Sequence, residues 1–368
     1  MRVVIINSVY GFGSTGKICA SIADQLKKDG HIVKCVYGRM VKEDGNDLIS
    51  MKDNLGFLVH VFETRVFDNH AFASRIATSK MLKKLDEFNP DLLWLHNIHG
   101  YYINAEMLFS WIKSRPDMQV KWTLHDCWSF TGHCSHFLLS SCNQWKTGCN
   151  KCDYKESYPK CIGLSLSQRN YARKKKAFCG VQKMELITPS QWLADLTRHS
   201  FLCEYPVSVV YNSIDTSIFR RVDSSFKKKY DIENYKIILG VSSVWSKRKG
   251  FEDFLYLSKK IPEGWRIVLV GVSEQQLKGL PDNCIGIKRT SSQSELVDIY
   301  NAADIFFNPT YEDNYPTVNL EAKACGAYII SYDTGGCRET FNNDEGMIIP
   351  VGQWDYLLEI IMNKTVNE

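Results

Sequence analysis

The sequence predicts an α/β protein of two doubly wound, Rossmann-like domains that face each other across a cleft. Three observations lead to this class. The chain has 368 residues, about twice the length of a typical domain. Short continuous apolar runs, typical of strands buried on both faces of a parallel sheet, alternate with segments of helical spacing in both halves of the chain. This alternation is interrupted at residues 126–161, a Cys-rich insert without periodicity.

The N-terminal domain is expected over residues 1–200. Its strands are short runs of mainly apolar residues, and its helices repeat apolar residues every three or four positions. Gly30 ends the first helix, and Asn89-Pro90 ends the second. The predicted elements are a strand at 3–6, a glycine-rich turn at 11–16, a helix at 18–28, a strand at 31–37, a helix at 80–88, and strands at 91–95 and 120–124.

The C-terminal domain is expected over residues 201–350, after a linker between 187 and 219. A final helix within 351–368 is predicted to pack back onto the N-terminal domain. The same alternation of apolar runs and helical spacing defines the elements. They are strands at 236–241, 265–270, 304–308 and 327–331, and helices at 251–260, 294–303, 317–325 and 354–362.

Composition narrows the function classes. Hydrophobic residues make up 44% and charged residues 23% of the chain, which excludes a mainly disordered protein. No stretch approaches about 18 uninterrupted apolar residues, and the first residues lack the pattern of a signal peptide, so a cytoplasmic protein is expected. Residues 1–200 hold 27 Lys and Arg against 18 Asp and Glu, a net +9, whereas the remainder has a net −5. The basic half suggests an anionic partner such as a membrane surface, a phosphate or a nucleic acid, or else a solvated surface.

The glycine-rich turn is compatible with several ligands. Gly11-x-Gly13-x-x-Gly16 between a strand and a helix is the dinucleotide-binding pattern, although the second strand ends near Arg39, without the acidic residue that NAD requires; Arg39 would suit NADP. The turn also resembles a P-loop, but Ile18 replaces the Mg²⁺-binding hydroxyl residue. A tight turn without a ligand is the third interpretation. In the first two, a helix N-terminus would bind an anion.

Two further clusters follow strand ends or lie in the insert. His125-Asp126 and His96-x-x-His99 come after predicted strands, whose carboxyl ends face the ligand crevice in open α/β sheets. In the insert, four cysteines could form a closed structural zinc site, although free thiols or a disulfide fit the spacing equally well. These cysteines are Cys134, Cys142, Cys149 and Cys152.

The most specific pattern lies at residues 308–326, where a strand leads into a helix starting at Pro316-Thr317. The helix N-terminus can bind a diphosphate, and Glu321, one turn on, can accept hydrogen bonds from sugar hydroxyls. Asp313 in the preceding loop could reach a second sugar. The alternative is an ordinary helix start with one surface carboxylate.

Asp313-x₇-Glu321, followed by Ala322-x-Ala324-Cys325-Gly326, resembles the two-carboxylate signature of the retaining family-four glycosyltransferases. Other segments resemble that family in the same order along the chain, and the insert resembles a bacterial subgroup that builds capsule, O-antigen and exopolysaccharide. These segments are the glycine loop at 11–16, Thr188-Pro-Ser190-x-Trp192, the turn at 211–215, Lys249-Gly250 and Asp333-Thr-Gly335-Gly336-x-x-Glu339.

The resemblance implies a GT-B fold and transfer of a hexose, with retention, from a UDP- or GDP-sugar to a lipid-linked glycan acceptor such as a polyprenyl diphosphate. No nucleic acid partner is implied, and no catalytic metal, since the chain has no Asp-x-Asp. Glu321 would bind the donor ribose, Asp313 the donor sugar, and His125 would lie near the transferred sugar. The donor-binding residues implied are Gly13, Ser14, Arg248, Lys249, Asn314, Thr317 and Val318.

Departures from the family pattern keep some positions open. Asp313 stands where Glu is usual, and Glu312 is adjacent, so the register can shift by one. The family's phosphate-binding arginine is missing before Lys249, and Arg248 or Lys247 is its expected substitute. The basic run at 173–176, with Arg169 and Tyr171, suits contact with an anionic bilayer or a solvated helix face. A NADP-linked oxidoreductase and a non-catalytic glycan-assembly protein are the alternative functions.

Overall fold

The computed structural model describes residues 1–41, 45–150 and 152–366. It divides into two compact units, Met1–Tyr211 and Asn212–Glu368, so the boundary lies within the predicted linker but eleven residues beyond the predicted domain end at 200. Within the described ranges, no helix is both long enough and apolar enough to cross a membrane.

The first unit is a seven-stranded parallel sheet in the order β3-β2-β1-β4-β5-β6-β7. The strand runs that the sequence predicts are present, and the first one extends to Tyr10 because it pairs with its neighbour along that whole length. The elements are β1 Arg2–Tyr10, α1 Gly13–Lys28, β2 Ile32–Val41, β3 Leu48–Ser50, α2 Asn54–Phe67, α3 Arg75–Phe88, β4 Leu92–Leu95, α4 Ala105–Lys113, β5 Gln119–Thr123, α5 Ser167–Phe178, β6 Met184–Thr188, α6 Gln191–Arg198 and β7 Val207–Val209.

The second unit is a six-stranded parallel sheet in the order β10-β9-β8-β11-β12-β13. Its predicted strands and helices are present, with boundaries that differ by a few residues. The elements are α7 Phe226–Lys229, β8 Lys236–Val241, α8 Phe251–Ser258, β9 Trp265–Val270, α9 Glu274–Lys278, β10 Cys284–Ile287, α10 Gln293–Ala302, β11 Ile305–Asn308, α11 Thr317–Ala324, β12 Tyr328–Tyr332, β13 Gly346–Ile349 and α12 Asp355–Val366.

Both sheets are buried on both faces, as the continuous apolar strands predict. In β1, Val4 and Ile6 face one core cluster while Val3 and Ile5 face another. In β8, Ile237 and Leu239 face one cluster while Ile238 faces the opposite one. Period-two alternation across a strand with helices on both sides accounts for this division. The doubly wound α/β class is therefore confirmed for each unit.

The last helix, α12, contributes Leu357 and Ile361 to a core cluster of the second unit. These two side chains are fully buried there, alongside residues of β9, β11 and β12. The predicted packing of this helix on the N-terminal domain stays a prediction.

Only part of the basic run is the solvated face that its charge suggests, since Lys175 and Lys176 are exposed whereas Arg173 and Lys174 are bound inside the unit. Residues 173–176 lie in α5, where Lys174 is buried and donates hydrogen bonds to the carbonyls of Trp128 (2.6 Å) and Thr131 (3.0 Å). Burial lowers the pKa of Lys174 to about 7. Arg173 pairs with Glu106 at 2.6 Å. Two of the four basic side chains thus hold the insert and α4 in place rather than facing a partner.

Candidate active site

The strongest candidate site of the second unit lies at its topological switch point. The chain leaves β8 toward one edge of the sheet and β11 toward the other, so the loops after these adjacent strands diverge and leave a crevice at their carboxyl ends. The loop after β8 carries Arg248 and Lys249, and the loop after β11 carries Asp313. Open α/β sheets bind their ligands at this position.

Lys249 and Asp313 form a direct ion pair across the crevice. The Lys249 Nζ to Asp313 Oδ2 distance is 2.5 Å, and both side chains are about one-fifth exposed. Glu312, the alternative carboxylate, is buried. Asp313 is therefore the carboxylate that pairs with Lys249, while the assignment of the donor-sugar carboxylate to Asp313 rather than Glu312 stays a prediction.

Gly335 and Gly336 position the Asp313 loop. The Gly336 N–H donates to the Asp313 carbonyl at 3.1 Å. Gly335 has φ +54°, and a Cβ there would lie 1.8 Å from the same carbonyl oxygen. In the sequence, both glycines belong to a segment that resembles the family, but no role is assigned to them. Only glycine allows the backbone to come this close to the Asp313 carbonyl.

Arg248 ties the two loops together. Its Nη1 donates to the Glu312 carbonyl at 2.5 Å, and its own carbonyl accepts the Tyr311 N–H at 2.8 Å. Gly250 follows with φ +73°, where a Cβ would lie 2.2 Å from the Pro309 carbonyl oxygen. The Arg248 side chain is half-buried against the loop after β11. Its expected role in binding the donor phosphate stays a prediction.

Helix α11 begins at the crevice with Thr317, and its N-terminus has no side-chain cap. Thr317 and Val318 are half-buried, while Asn314 in the preceding loop is buried. Asn319 anchors this end of the helix. Its Oδ1 accepts a hydrogen bond from the Asn308 side-chain amide (2.9 Å), and its own amide N–H donates to the Thr340 hydroxyl (2.8 Å). A fixed, uncapped helix N-terminus presents backbone N–H groups to an anion.

Glu321 lies one turn further along α11. Its Oε2 accepts a hydrogen bond of 2.9 Å from the hydroxyl of Tyr300, at the end of α10. Burial, followed by the charge of Glu321, raises the pKa of Tyr300, so the tyrosine remains a donor at neutral pH. The sequence does not single out Tyr300, since it occupies an ordinary core position of a helix.

The first unit has its own switch point, between β1 and β4. The glycine loop follows β1, with Gly11 donating to the Gly16 carbonyl at 3.0 Å and Gly13 at φ +60°. Gly13 and Ser14 open α1 and are exposed, and this helix also lacks a side-chain cap. The predicted turn and helix start are therefore present.

His125 follows β5 and lies against His96, which follows β4. The His96 Nδ1 to His125 Nε2 distance is 2.9 Å, and the two rings are stacked at 18°. Burial lowers the pKa of His125 to about 4, so its imidazole is neutral at pH 7. The structure thus brings together two histidines that the sequence lists as separate strand-end candidates.

Asp126 and His99 form a second polar pair beside them. The His99 Nε2 to Asp126 Oδ2 distance is 3.1 Å. Burial alone would raise the pKa of Asp126, but the charge and hydrogen bond of His99 outweigh it and hold this pKa at about 2. All four strand-end candidates therefore sit at the carboxyl edge of the first sheet.

The four candidate zinc ligands lie in one part of the insert. Cys134 and Cys149 are buried, Cys142 and Cys152 are half-buried, and no disulfide joins these four. The Cys149 Sγ accepts the Gly132 N–H at 3.2 Å. In the described part of the chain, no three His, Cys, Asp or Glu side chains are arranged to hold a metal ion, so zinc stays a prediction.

The first unit contains a cavity of about 160 Å³ at the end of β2, lined by Arg39, Phe57 and Tyr101 among others. Ligand sites of this kind usually measure about 300–1,000 Å³. The cavity is thus smaller than a typical ligand site.

Comparison with known proteins finds similarity to one family within the second unit. Residues 222–363 match the family described as glycosyl transferases group 1. The putative colanic acid biosynthesis glycosyl transferase WcaC of Escherichia coli K12 is 23% identical over 347 residues, which are 93% of this chain and 78% of that protein. An N,N'-diacetylbacillosaminyl-diphospho-undecaprenol alpha-1,3-N-acetylgalactosaminyltransferase of Campylobacter jejuni is 30% identical over 124 residues, 32% of each chain.

Solved structures show the same fold. WaaG, a glycosyltransferase involved in lipopolysaccharide biosynthesis, has a TM-score of 0.67 at 16% identity, over all of this chain and 90% of WaaG. A sucrose-phosphate synthase from Thermosynechococcus elongatus has a TM-score of 0.71 at 14% identity, over 99% and 90% of the two chains. Anabaena HepE in complex with UDP has a TM-score of 0.63 at 16% identity, over 100% and 90%. The two parallel-sheet units are those of the GT-B fold.

Proposed function

We propose that this chain, which has the GT-B fold and carries a group 1 glycosyltransferase domain at residues 222–363, is a retaining hexosyltransferase of surface-polysaccharide assembly. The donor is a UDP- or GDP-sugar, and the acceptor is a lipid-linked glycan such as one on a polyprenyl diphosphate. The reaction takes place at the inner face of the cell membrane. The observation that carries the proposal is the Lys249–Asp313 pair at the switch point of the second sheet, one loop away from the uncapped start of α11.

The diphosphate of the donor is bound by the second unit. The backbone N–H groups of Thr317 and Val318 donate hydrogen bonds to the diphosphate oxygens at the helix N-terminus, and Lys249 supplies the positive countercharge. Lys249 must leave Asp313 to reach a phosphate, which frees the Asp313 carboxylate for hydroxyls of the donor sugar. The pair therefore keeps both charges neutralised until the donor arrives.

Glu321 binds the ribose hydroxyls, and Tyr300 orients it by donating to one of its oxygens. His125 is neutral at pH 7 and so can exchange hydrogen bonds with a sugar hydroxyl in either direction. Catalysis follows from positioning and from stabilising the departing nucleoside diphosphate. No protein nucleophile or metal ion is required by this scheme.

Two relatives support the acceptor class. WcaC is named for colanic acid biosynthesis, and the Campylobacter enzyme is named for a diphospho-undecaprenol substrate. HepE is similar in fold and was solved with UDP, which supports a nucleotide-sugar donor. A lipid-linked acceptor also agrees with the net +9 of residues 1–200.

Ligand binding by the full chain tests the donor site. We expect UDP or GDP, and the corresponding nucleotide sugars, to bind and to raise the thermal midpoint, whereas NADPH does not. Lys249→Met should weaken binding about tenfold to a hundredfold, because a hydrogen bond to a charged group is lost. Lys288→Met, which removes an exposed lysine paired with Glu274 on the same unit, is the control and should bind normally.

Sugar transfer to a lipid-linked acceptor tests catalysis. Glu321→Gln and His125→Asn should each lose most of the transfer activity while the chain keeps its fold, and Glu274→Gln should retain it. Stabilisation by NADPH without any effect of UDP or GDP would refute the proposal in favour of an oxidoreductase. Unchanged glycan assembly in cells carrying either site variant would indicate a non-catalytic assembly protein.

A further inference from the structure

Asp253, in the first turn of α8, is a buried carboxylate that no step of the donor scheme uses. Its side chain is only 3% exposed. Its Oδ1 accepts hydrogen bonds from the Tyr311 hydroxyl and from the Trp354 indole N–H, both at 3.1 Å. Its Oδ2 has no hydrogen-bond partner among the described residues. Because burying a carboxylate is costly unless hydrogen bonds compensate it, the two donors are held firmly on Oδ1.

Tyr311 lies in the loop after β11, two residues before Asp313, and three contacts hold it. Its N–H donates to the Arg248 carbonyl at 2.8 Å, and its carbonyl accepts the Thr334 hydroxyl at 2.8 Å. The third contact is the hydrogen bond from its hydroxyl to Asp253. Both backbone polar groups and the side chain of Tyr311 are therefore fixed.

The segment that carries Asp313 is held at both ends. The Tyr311 ring packs edge-on against Tyr332, with the ring centres 5.6 Å apart. On the other side, the Gly336 N–H donates to the Asp313 carbonyl at 3.1 Å. A functional side chain keeps a precise position when packing and hydrogen bonds lock the residues around it. The position of the Asp313 carboxylate beside Lys249 thus depends on where Tyr311 is anchored.

The remaining donor-binding groups have supports of their own. Asn319 anchors the start of α11, and the Tyr300 hydroxyl holds Glu321 at 2.9 Å. Neither set of hydrogen bonds includes Asp253. Loss of the Asp253 carboxylate should therefore displace Asp313 while the helix N-terminus and Glu321 stay in place.

We infer that Asp253 is a positioning residue for recognition of the donor sugar, because it anchors Tyr311 and thereby sets where Asp313 lies. The inference rests on the proposed function, in which Asp313 binds the donor sugar. Trp354 donates to the same carboxylate oxygen and packs on Tyr256 with the ring centres 4.3 Å apart. One carboxylate thus joins the segment before α12 to the donor loop.

Binding of the full chain to UDP, GDP, UDP-glucose, UDP-galactose and GDP-mannose tests the inference. In Asp253→Ala, we expect the Kd of the nucleotide to change less than about twofold, whereas the Kd of the nucleotide sugar rises about tenfold, since Asp313 is no longer held for the sugar hydroxyls. Asp253→Asn keeps an oxygen acceptor for both donors and should bind like the natural chain. This rescue separates positioning by hydrogen bonds from a need for charge.

Tyr311→Phe removes the same hydrogen bond from its other end and keeps the ring that packs on Tyr332. It should weaken nucleotide-sugar binding as Asp253→Ala does, and the double variant should be no weaker than the weaker single one. The control is Asp304→Ala, at the opposite end of β11. Asp304 accepts the Ile237 N–H at 2.8 Å and pairs with Lys227 at 3.1 Å, so its loss should leave sugar recognition unchanged.

Hydrogen exchange of the unliganded chain gives a second readout that needs no donor. Exchange at residues 309–313 should be faster in Asp253→Ala and in Tyr311→Phe than in the natural chain, Asp253→Asn or Asp304→Ala. Unchanged exchange there in Asp253→Ala would overturn the inference, even if the donor site is correct. A natural chain that binds none of the five ligands would instead refute the proposed donor, and with it the role in sugar recognition.

Three binding results would also overturn the inference. Equal losses for the nucleotide and for every nucleotide sugar would show that Asp253 acts only on the fold of the unit. An Asp253→Asn variant as impaired as Asp253→Ala would show that the hydrogen bonds do not carry the effect. Additive losses in the double variant would show that Asp253 does not act through Tyr311.

Discussion

Asp313 and Glu312 show what a single residue position can and cannot reveal in a sequence. Adjacent carboxylates carry the same chemical signal, and a motif read without coordinates cannot separate them. The structure separates them by burial, because Glu312 points into the unit whereas Asp313 reaches Lys249. Tyr300 is the reverse case, since its tie to Glu321 spans 21 residues and leaves no local pattern.

His60 carries a residue-scale prediction about pH. Its Nε2 accepts the Ala71 N–H at 3.0 Å and its Nδ1 lies 2.7 Å from Ser74 Oγ, so the folded chain needs a neutral ring. Burial lowers the pKa of His60 to about 3. The unfolded chain takes up this proton near pH 6.5, so lowering the pH below that value favours unfolding. We expect protonation of His60 in the unfolded chain to lower the free energy of unfolding by about 2 kcal/mol when the pH falls from 7 to 5.

Thermal or urea unfolding at the two pH values measures this cost. His60→Gln should be less stable at pH 7 but should lose less stability on acidification than the natural chain. The control is His31→Gln, since His31 is half-buried in the turn between α1 and β2. This variant should leave the pH dependence of stability unchanged. An identical pH dependence in His60→Gln would contradict the prediction. Asp126 does not interfere, because its pKa is held at about 2, so that any stability it contributes is lost below about pH 4.

At the scale of elements, the buried parallel strands were the most predictable part of the chain. A run such as Ile237–Gly240 must be apolar on both faces, and that requirement is visible in four consecutive residues. Helix α2 was not predictable in the same way, because its buried positions are polar and its apolar positions are exposed. The spacing of apolar residues, which normally identifies the buried side of a helix, here identifies its exposed side.

In the sequence, the insert is recognisable only by its lack of helix or strand periodicity. Over residues 126–150 and 152–161, its regular structure is limited to three 3₁₀ turns, yet Trp128, Phe130 and Trp145 are buried in the first unit's core. Side-chain packing rather than backbone repetition therefore holds it, which leaves no period in the sequence. A zinc ion bound by the four cysteines would be a second way of holding the insert in place.

We predict that purified protein contains zinc at about one ion per chain, bound by the four cysteines. Metal analysis after gentle purification measures this, and a chelator should lower the thermal midpoint if the ion is structural. Cys149→Ser with Cys152→Ser should remove the metal, whereas Cys203→Ser, at an exposed thiol outside the insert, should not. Less than about 0.2 zinc per chain would exclude a structural zinc site of one ion per chain.

At the scale of the whole molecule, the length alone predicted two domains, and each unit indeed has its own sheet and two core clusters. The boundary was predictable only to within a linker, because neither unit ends on a distinctive residue. The assignment of tasks came from chemistry: the candidate donor carboxylates are in the second unit, and the basic excess is in the first.

Separate cores predict separate responses. Saturating UDP or GDP, at about a hundred times its dissociation constant, should stabilise residues 212–368 by about 2.7 kcal/mol. Acidification from pH 7 to pH 5 should instead destabilise residues 1–211, which contain His60, His96 and His125. Hydrogen exchange read by mass spectrometry assigns each effect to its unit. Protection that spreads equally over both units would show that they unfold as one.

The reversed polarity of helix α2 has a practical consequence for handling the protein. Exposed apolar side chains on one helical face favour self-association, because contact between copies removes them from water. Solubility should therefore decline with concentration in detergent-free buffer and recover with a mild non-ionic detergent. Leu58→Ser with Phe62→Ser would then give the better-behaved sample for crystallisation of the donor complex.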